Sequence, residues 1–164
     1  MSKYKDSMTA GELMKQLTSD PAYLQMRAGK DEKRRLLEKE LDAINRPILD
    51  RLELAGFPAN SFQELIKKFA PLPESAVSIL MDVLKHCAEM RVQESLIRAL
   101  GAANQPFDGR PLIECFNATQ NESLRFAILN TIALTAPHSI EDWLNEAKEN
   151  QYLREKLIDL GYKW

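Results

Sequence analysis

Histidine and cysteine are scarce in this chain of 164 residues, with two of each. They cannot make a four-ligand zinc site of ordinary spacing, nor a disulfide framework. The six glycines are scattered, so no glycine-rich loop cradles a phosphate. The sequence contains no His-Glu-x-x-His, Gly-x-Ser-x-Gly or Cys-x-x-Cys. Neither sign of charge dominates: 22 Lys and Arg face 24 Asp and Glu, for a net charge of −2. Dedicated nucleic-acid binders usually carry a net basic surface that displaces counterions from phosphates, so no nucleic acid is expected as partner. Long apolar runs are also missing. The most apolar stretch, Phe126 to Ala136, is about half of the ~20 residues a membrane-spanning helix needs, and Asn130 and Thr131 interrupt it. Residues 1–8 have neither an apolar core nor a small-residue cleavage site, so they do not read as a secretory signal. Free thiols fit a reducing compartment. The expected location is the cytoplasm, with no membrane partner.

What the sequence has in quantity is helical pattern. The 45% apolar and 28% charged residues suit one globular domain, and no alternating Val/Ile/Thr run or Asn-Gly turn suggests a strand. Helix starts are written clearly. Thr9 to Glu12 is a capping box, and Asp20-Pro21 places a cap before a proline at the first helical position. Ser61 to Glu64 and Ser139 to Asp142 repeat the capping logic, and Pro73 opens a further helix.

From Pro21 to Ala55 the spacing predicts one long helix. Leu37, Leu41, Ile44, Ile48, Leu52 and Ala55 share a face, while the charges between Lys30 and Asp42, five of each sign, occupy the other. Pairs such as Asp31 with Arg35 and Arg34 with Glu38 add a few tenths of a kcal/mol each. Gly29 and Pro47 are weak points, and Gly56 with Phe57-Pro58 supplies the stop.

The second half contains an internal repeat. Val92 to Gly101 overlays Leu124 to Ala133 at an offset of 32, and Leu80, Val83 and Leu84 fall on Leu112, Cys115 and Phe116 at the same offset. A third, one-residue-shorter copy runs from Leu153 to Gly161 after Trp143-Leu144. Each unit reads as two amphipathic helices joined by a polar turn, at His86 to Met90 and at Asn117 to Glu122. One such hairpin cannot bury its apolar stripes alone, and stacked neighbours can. The adjacent pairs Leu96-Ile97, Ile128-Leu129 and Leu157-Ile158 offer one side chain to the partner helix and one to the next unit. The expected fold is all-α: a short α-α superhelix of hairpins at about 72–102, 107–136 and 139–164, preceded by a helical region over 1–70 packed on them.

Val92-Gln-Glu-Ser-Leu-Ile-Arg-Ala-Leu-Gly101 resembles the second helix of a HEAT repeat, usually Val-Arg-x-x-Ala-x-x-Ala-Leu-Gly. Leu124-Arg125-x-Ala127 keeps the Arg and the small residue, and Leu153-Arg154 keeps the Arg, while Gln93 replaces it. The similarity to this armadillo-type α-solenoid family covers roughly Leu72 to Leu160. The long-helix region also resembles the start of uncharacterised bacterial HEAT-like proteins. The resemblance implies a solenoid whose second helices line a concave face, with Arg125 and Arg154 bonded to neighbouring turns.

No chemistry-bearing constellation stands out. His86 and Cys87 are adjacent on a helix and point about 100° apart, so they cannot act as base and nucleophile together. Cys87 and Cys115 read as small core hydrophobes, and His138 as a surface residue before a cap. No enzymatic activity, cofactor or metal is expected. What the fold offers is surface, and the positions opposite the core stripe are Arg91, Glu94 and Arg98, then Ser123, Phe126 and Asn130, then Tyr152, Glu155 and Asp159. Phe126 either packs under a neighbouring element or anchors a partner, for which aromatic and Arg side chains are favoured. The candidate binding residues are Arg91, Glu94, Arg98, Phe126, Asn130, Tyr152 and Glu155.

Charge is uneven along the chain: net +3 over 1–35, −2 over 36–102 and −3 over 103–164. The acidic end, with Tyr162 and Trp164, could attract a basic partner, or Trp164 could cover the last unit. The expectation is a protein-interaction module that binds a protein or peptide, as an adaptor or a toxin-neutralising protein. The alternative is a nucleic-acid-binding HEAT-like protein. A monomer or weak homodimer, the latter through the long helix, is expected.

Overall fold

A computed structural model describes residues 9–164. Residues 1–8, where the sequence was read as free of a secretory signal, lie outside the described residues. Among the described residues the fold is all-α, with nine helices and two isolated main-chain bridges. No helix among them is long and apolar enough to cross a membrane. The chain divides into two compact units, Met1–Asp42 and Ala43–Trp164.

The first unit holds α1 (Ala10–Ser19) and the start of α2 (Pro21–Leu54). Thr9 and Glu12 form the expected capping box, and the Ala22 N–H donates to Asp20 at 2.9 Å. No described residue of this unit is buried. Its charged helix face is laced by exposed pairs: Arg34 with Asp31 and Glu38, and Arg35 with Glu32. The pair expected between Asp31 and Arg35 is replaced by two i,i+3 pairs, because each Arg finds a nearer acid on the same face. The helix runs unbroken through Gly29 and Pro47. Both lie on exposed turns, where water can serve the carbonyl that Pro47 leaves unbonded.

In the second unit α2 buries Ile48, Leu49 and Leu52, then stops at Gly56. Gly56 has φ +95°, and the N–H groups of Gly56 and Phe57 donate back to Glu53 and Leu52, which closes the last turn as a Schellman motif. Next come α3 (Phe62–Phe69), α4 (Glu74–His86), α5 (Met90–Leu100), α6 (Arg110–Ala118), α7 (Glu122–Thr135), α8 (Glu141–Glu149) and α9 (Gln151–Asp159). The pairs α4/α5, α6/α7 and α8/α9 are hairpins. Their second helices follow one another, α5 against α7 and α7 against α9, with α3 packed on α5 ahead of them, while α4 lies against α6. Residues 43–70 thus share a unit with the repeats, and the α3 side chains Phe62 and Leu65 are buried.

The offset of 32 reproduces burial along the apolar stripe of each helix. Leu80, Leu84, Leu112 and Phe116 are buried, and Val92, Leu96, Ile97 and Leu100 match Leu124, Ile128, Leu129 and Ile132. Fully burying each such side chain is worth about 1.5–3 kcal/mol. In the third copy Leu157 is buried, whereas Ile158, equivalent to Ile97 and Leu129, is 52% exposed. Val83 and Cys115 are both only half-buried, as is Cys87. The two cysteines are therefore not core residues, because they stand at the margin of the stripe that Leu84 and Phe116 occupy.

Two repeated features hold each hairpin together from within. The side chain of the fourth residue of each second helix donates to a main-chain carbonyl six residues earlier, at the end of the first helix of the same hairpin: Gln93 to Cys87 at 2.7 Å, Arg125 to Thr119 at 3.0 Å and Arg154 to Lys148 at 3.5 Å. The segment entering a hairpin also bridges in parallel to the segment leaving it, Leu72 with Ala103 and Asp108 with His138. The second bridge alters the expected cap at Ser139. With the His138 N–H and carbonyl both bonded across the bridge, the chain turns at Ser139 with φ +65°. Helix α8 then starts after Ile140, with no side-chain cap, and the Glu141 carboxylate accepts from the Ser139 N–H instead.

Candidate interaction groove on the second helices

The groove is built on α7 and α9. The Asn121 side chain caps α7 by accepting from the Leu124 N–H at 3.0 Å, and Asn150 caps α9 by accepting from Leu153 at 3.1 Å. With Leu124, Ile128 and Ile132 committed to the core, Phe126 is turned outward and stays 49% exposed. With Leu157 committed on α9, Tyr152 is 63% exposed. Both aromatics line one groove of about 630 Å³, together with Leu129, Ser123, Arg125 and Lys156.

Its two cations are held by aromatic faces. The Arg125 guanidinium lies 4.7 Å from the centroid of Phe116, which also borders the groove, and its Nε is spent on the Thr119 carbonyl. The Lys156 ammonium lies 5.9 Å from the Tyr152 ring. Such contacts contribute roughly 0.5–1 kcal/mol at exposed sites. Phe116 in turn meets Trp143 edge-on at 5.5 Å, which fixes the floor of the groove. Glu122 is the single acid on its rim, so the groove is locally cationic although residues 103–164 are net acidic.

A charged cluster on α5 adjoins it. Glu94 accepts from Arg98 at 2.7 Å and from the Ser123 hydroxyl at 2.9 Å, which links α5 to the groove wall. Burial pushes the Glu94 carboxyl up, but the hydrogen bonds from Arg98 and Ser123 and the Arg98 charge outweigh it, and its pKa is lowered.

The structure thus brings together Phe126 and Tyr152, and joins Glu94 and Arg98 to them through Ser123. Arg91 and Glu155 are exposed and Asn130 is half-buried, and none of the three lines the groove. Phe126 does not pack under another element, and Trp164 meets Tyr162 edge-on at 5.2 Å with the Lys148 ammonium over its ring. Lys156 and Leu129 were missed from the sequence, since Leu129 reads only as core and Lys156 as one more surface cation. Arg125 was recognised only in its bond to the preceding turn. Comparison of the chain with family models, with curated proteins and with solved structures gives no match in any of the three.

Proposed function

We propose that this chain is a non-enzymatic protein-interaction module, a short HEAT-like α-solenoid that holds a segment of a partner protein against α7 and α9. The observation that carries the reading is the pairing of Phe126 and Tyr152, two large side chains left in solvent on successive second helices around one groove. Exposed aromatics beside cations are the side chains that dominate interface energetics. The chemistry specifies the occupant: a large apolar side chain for the floor between Phe126 and Leu129, flanked by Asp or Glu that meet Arg125 and Lys156. In a cytoplasmic, bacterial setting this suits an adaptor or a toxin-neutralising protein.

Selection from a displayed random-peptide library tests the reading, with the wild-type chain as bait and counter-selection on a chain carrying Phe126→Asp and Tyr152→Ala. The expected winners combine an aromatic or Leu anchor with adjacent acids and bind the wild-type chain at least tenfold tighter than the variant. Winners indifferent to the two substitutions would sink the proposal. So would binding of a single-stranded oligonucleotide in preference to any peptide.

A further inference from the structure

A second cleft of about 420 Å³ lies away from the groove, where the end of α4 and the start of α5 meet α6. Its wall carries both free cysteines of the chain, Cys87 and Cys115, and the thioether of Met90. The local fold explains the gathering. Cys87 is the residue on which α4 ends, and a turn of three residues later Met90 opens α5, so both sulfur side chains leave one tight corner. The packing of α4 against α6 brings Cys115 to the same cleft. We propose that Cys87, Cys115 and Met90 form a site for a soft monovalent cation, with Cu(I) as the ion that fits.

The ligand chemistry argues for this choice. Thiolate and thioether sulfurs select Cu(I), which a small number of sulfur ligands satisfies, whereas zinc asks for four N or S ligands. Among the described residues no group of three or more His, Cys, Asp or Glu gathers anywhere, so harder cations find no ligand set here. Both thiols are half-buried and neither is in a disulfide. The Cys87 Sγ makes only a long 3.6 Å contact to the Glu89 carbonyl. Met90 is partly exposed, which gives an entering ion a path.

On binding, each Cys–SH gives up H⁺ to water as its sulfur joins the metal. No electron moves in this step, because copper enters and stays as Cu(I).

The test is an anaerobic titration of the reduced full chain with Cu(I) against a chromophoric Cu(I) chelator. The expected result is one Cu(I) per chain, with affinity lowered at least a hundredfold by Cys87→Ser or by Cys115→Ser. Met90→Leu should lower it about tenfold, and Zn(II) should show no comparable binding. X-ray absorption at the copper edge should count three sulfur neighbours in the wild-type chain and two in Met90→Leu. Two equivalents of Cu(I) bound independently, or wild-type affinity in either Ser variant, would overturn the proposal. Because Met90→Leu leaves both thiols in place, it keeps the test informative should a Ser variant fold poorly.

Discussion

Thr131 donates its hydroxyl to the main-chain carbonyl of Ile97, 2.8 Å away and 34 residues earlier. Both residues are buried, so the bond joins α7 to α5 inside the core. The same carbonyl also accepts from the Gly101 N–H at 3.1 Å. Loss of the hydroxyl therefore leaves no orphan acceptor. Thr131→Val, which keeps the shape, should cost about 1 kcal/mol and lower Tm by about 2–4 °C. Thermal denaturation followed by circular dichroism decides it, and an unchanged Tm would mean that the bond contributes nothing net.

Gly109 sits where no side chain fits. An added Cβ would stand 2.8 Å from Ile140 Cγ2 and 3.0 Å from the Pro137 ring, and its N–H is held by the His138 carbonyl at 2.9 Å. Pro137 and Ile140 are both buried and cannot swing aside. Gly109→Ala should destabilise by about 1–3 kcal/mol through overpacking. Gly11→Ala, in open space within a helix, should be neutral or mildly stabilising in the same urea titration.

Partner affinity should divide unequally among the candidate residues. Phe126→Ala and Tyr152→Ala are each expected to raise the Kd of a selected peptide about tenfold or more. Arg98→Ala should change it less, because Arg98 is engaged with Glu94 outside the groove. Fluorescence anisotropy with a labelled peptide separates these cases. A larger effect from Arg98 than from Phe126 would move the docking surface onto α5.

Acid should weaken the fold in a defined window. Hydrogen bonds from Arg110 hold the Asp108 carboxyl at about 2 against an ordinary 3.8, and bonds from Lys68 and Asn60 hold Glu64 at about 2 against 4.5. Since both folded values are depressed, the stabilisation is complete above about pH 4.5 and disappears as pH falls toward about 2. Both groups face solvent, which keeps the effect small. Tm measured from pH 6 to 2 should fall less steeply in Asp108→Asn and Glu64→Gln than in the wild-type chain. Parallel curves would show that these pairs do not survive in solution.

The repeat was legible because burial repeats: Leu80, Leu84, Val92 and Leu96 have counterparts 32 residues on, and side-chain type alone announces them. Helix starts at Thr9, Asp20 and Ser61 were legible for the same reason, since caps have side-chain signatures, and Pro73 marked a start by its fixed φ. The bridge of Asp108 with His138 left no such trace, being made of main-chain groups, and it displaced the cap expected at Ser139. Half of the site followed likewise. Phe126 and Tyr152 could be picked out as misplaced aromatics, but their meeting in one groove depends on α7 lying against α9. Lys156 belongs to the groove only through that packing.

The core thins along the stack. Helices α4 to α7 bury most of their apolar stripe, whereas α8 and α9 bury only Ala147 and Leu157. Opening the last hairpin exposes little apolar surface, so it should fray many times before the molecule unfolds as a whole. Amide protons of Leu153 to Leu160 should accordingly exchange with deuterated water far sooner than those of Leu96 to Leu100. Tyr152 and Lys156 ride on the fraying hairpin. An occupant of the groove would hold it shut, and slowed exchange in α9 would record the partner's arrival.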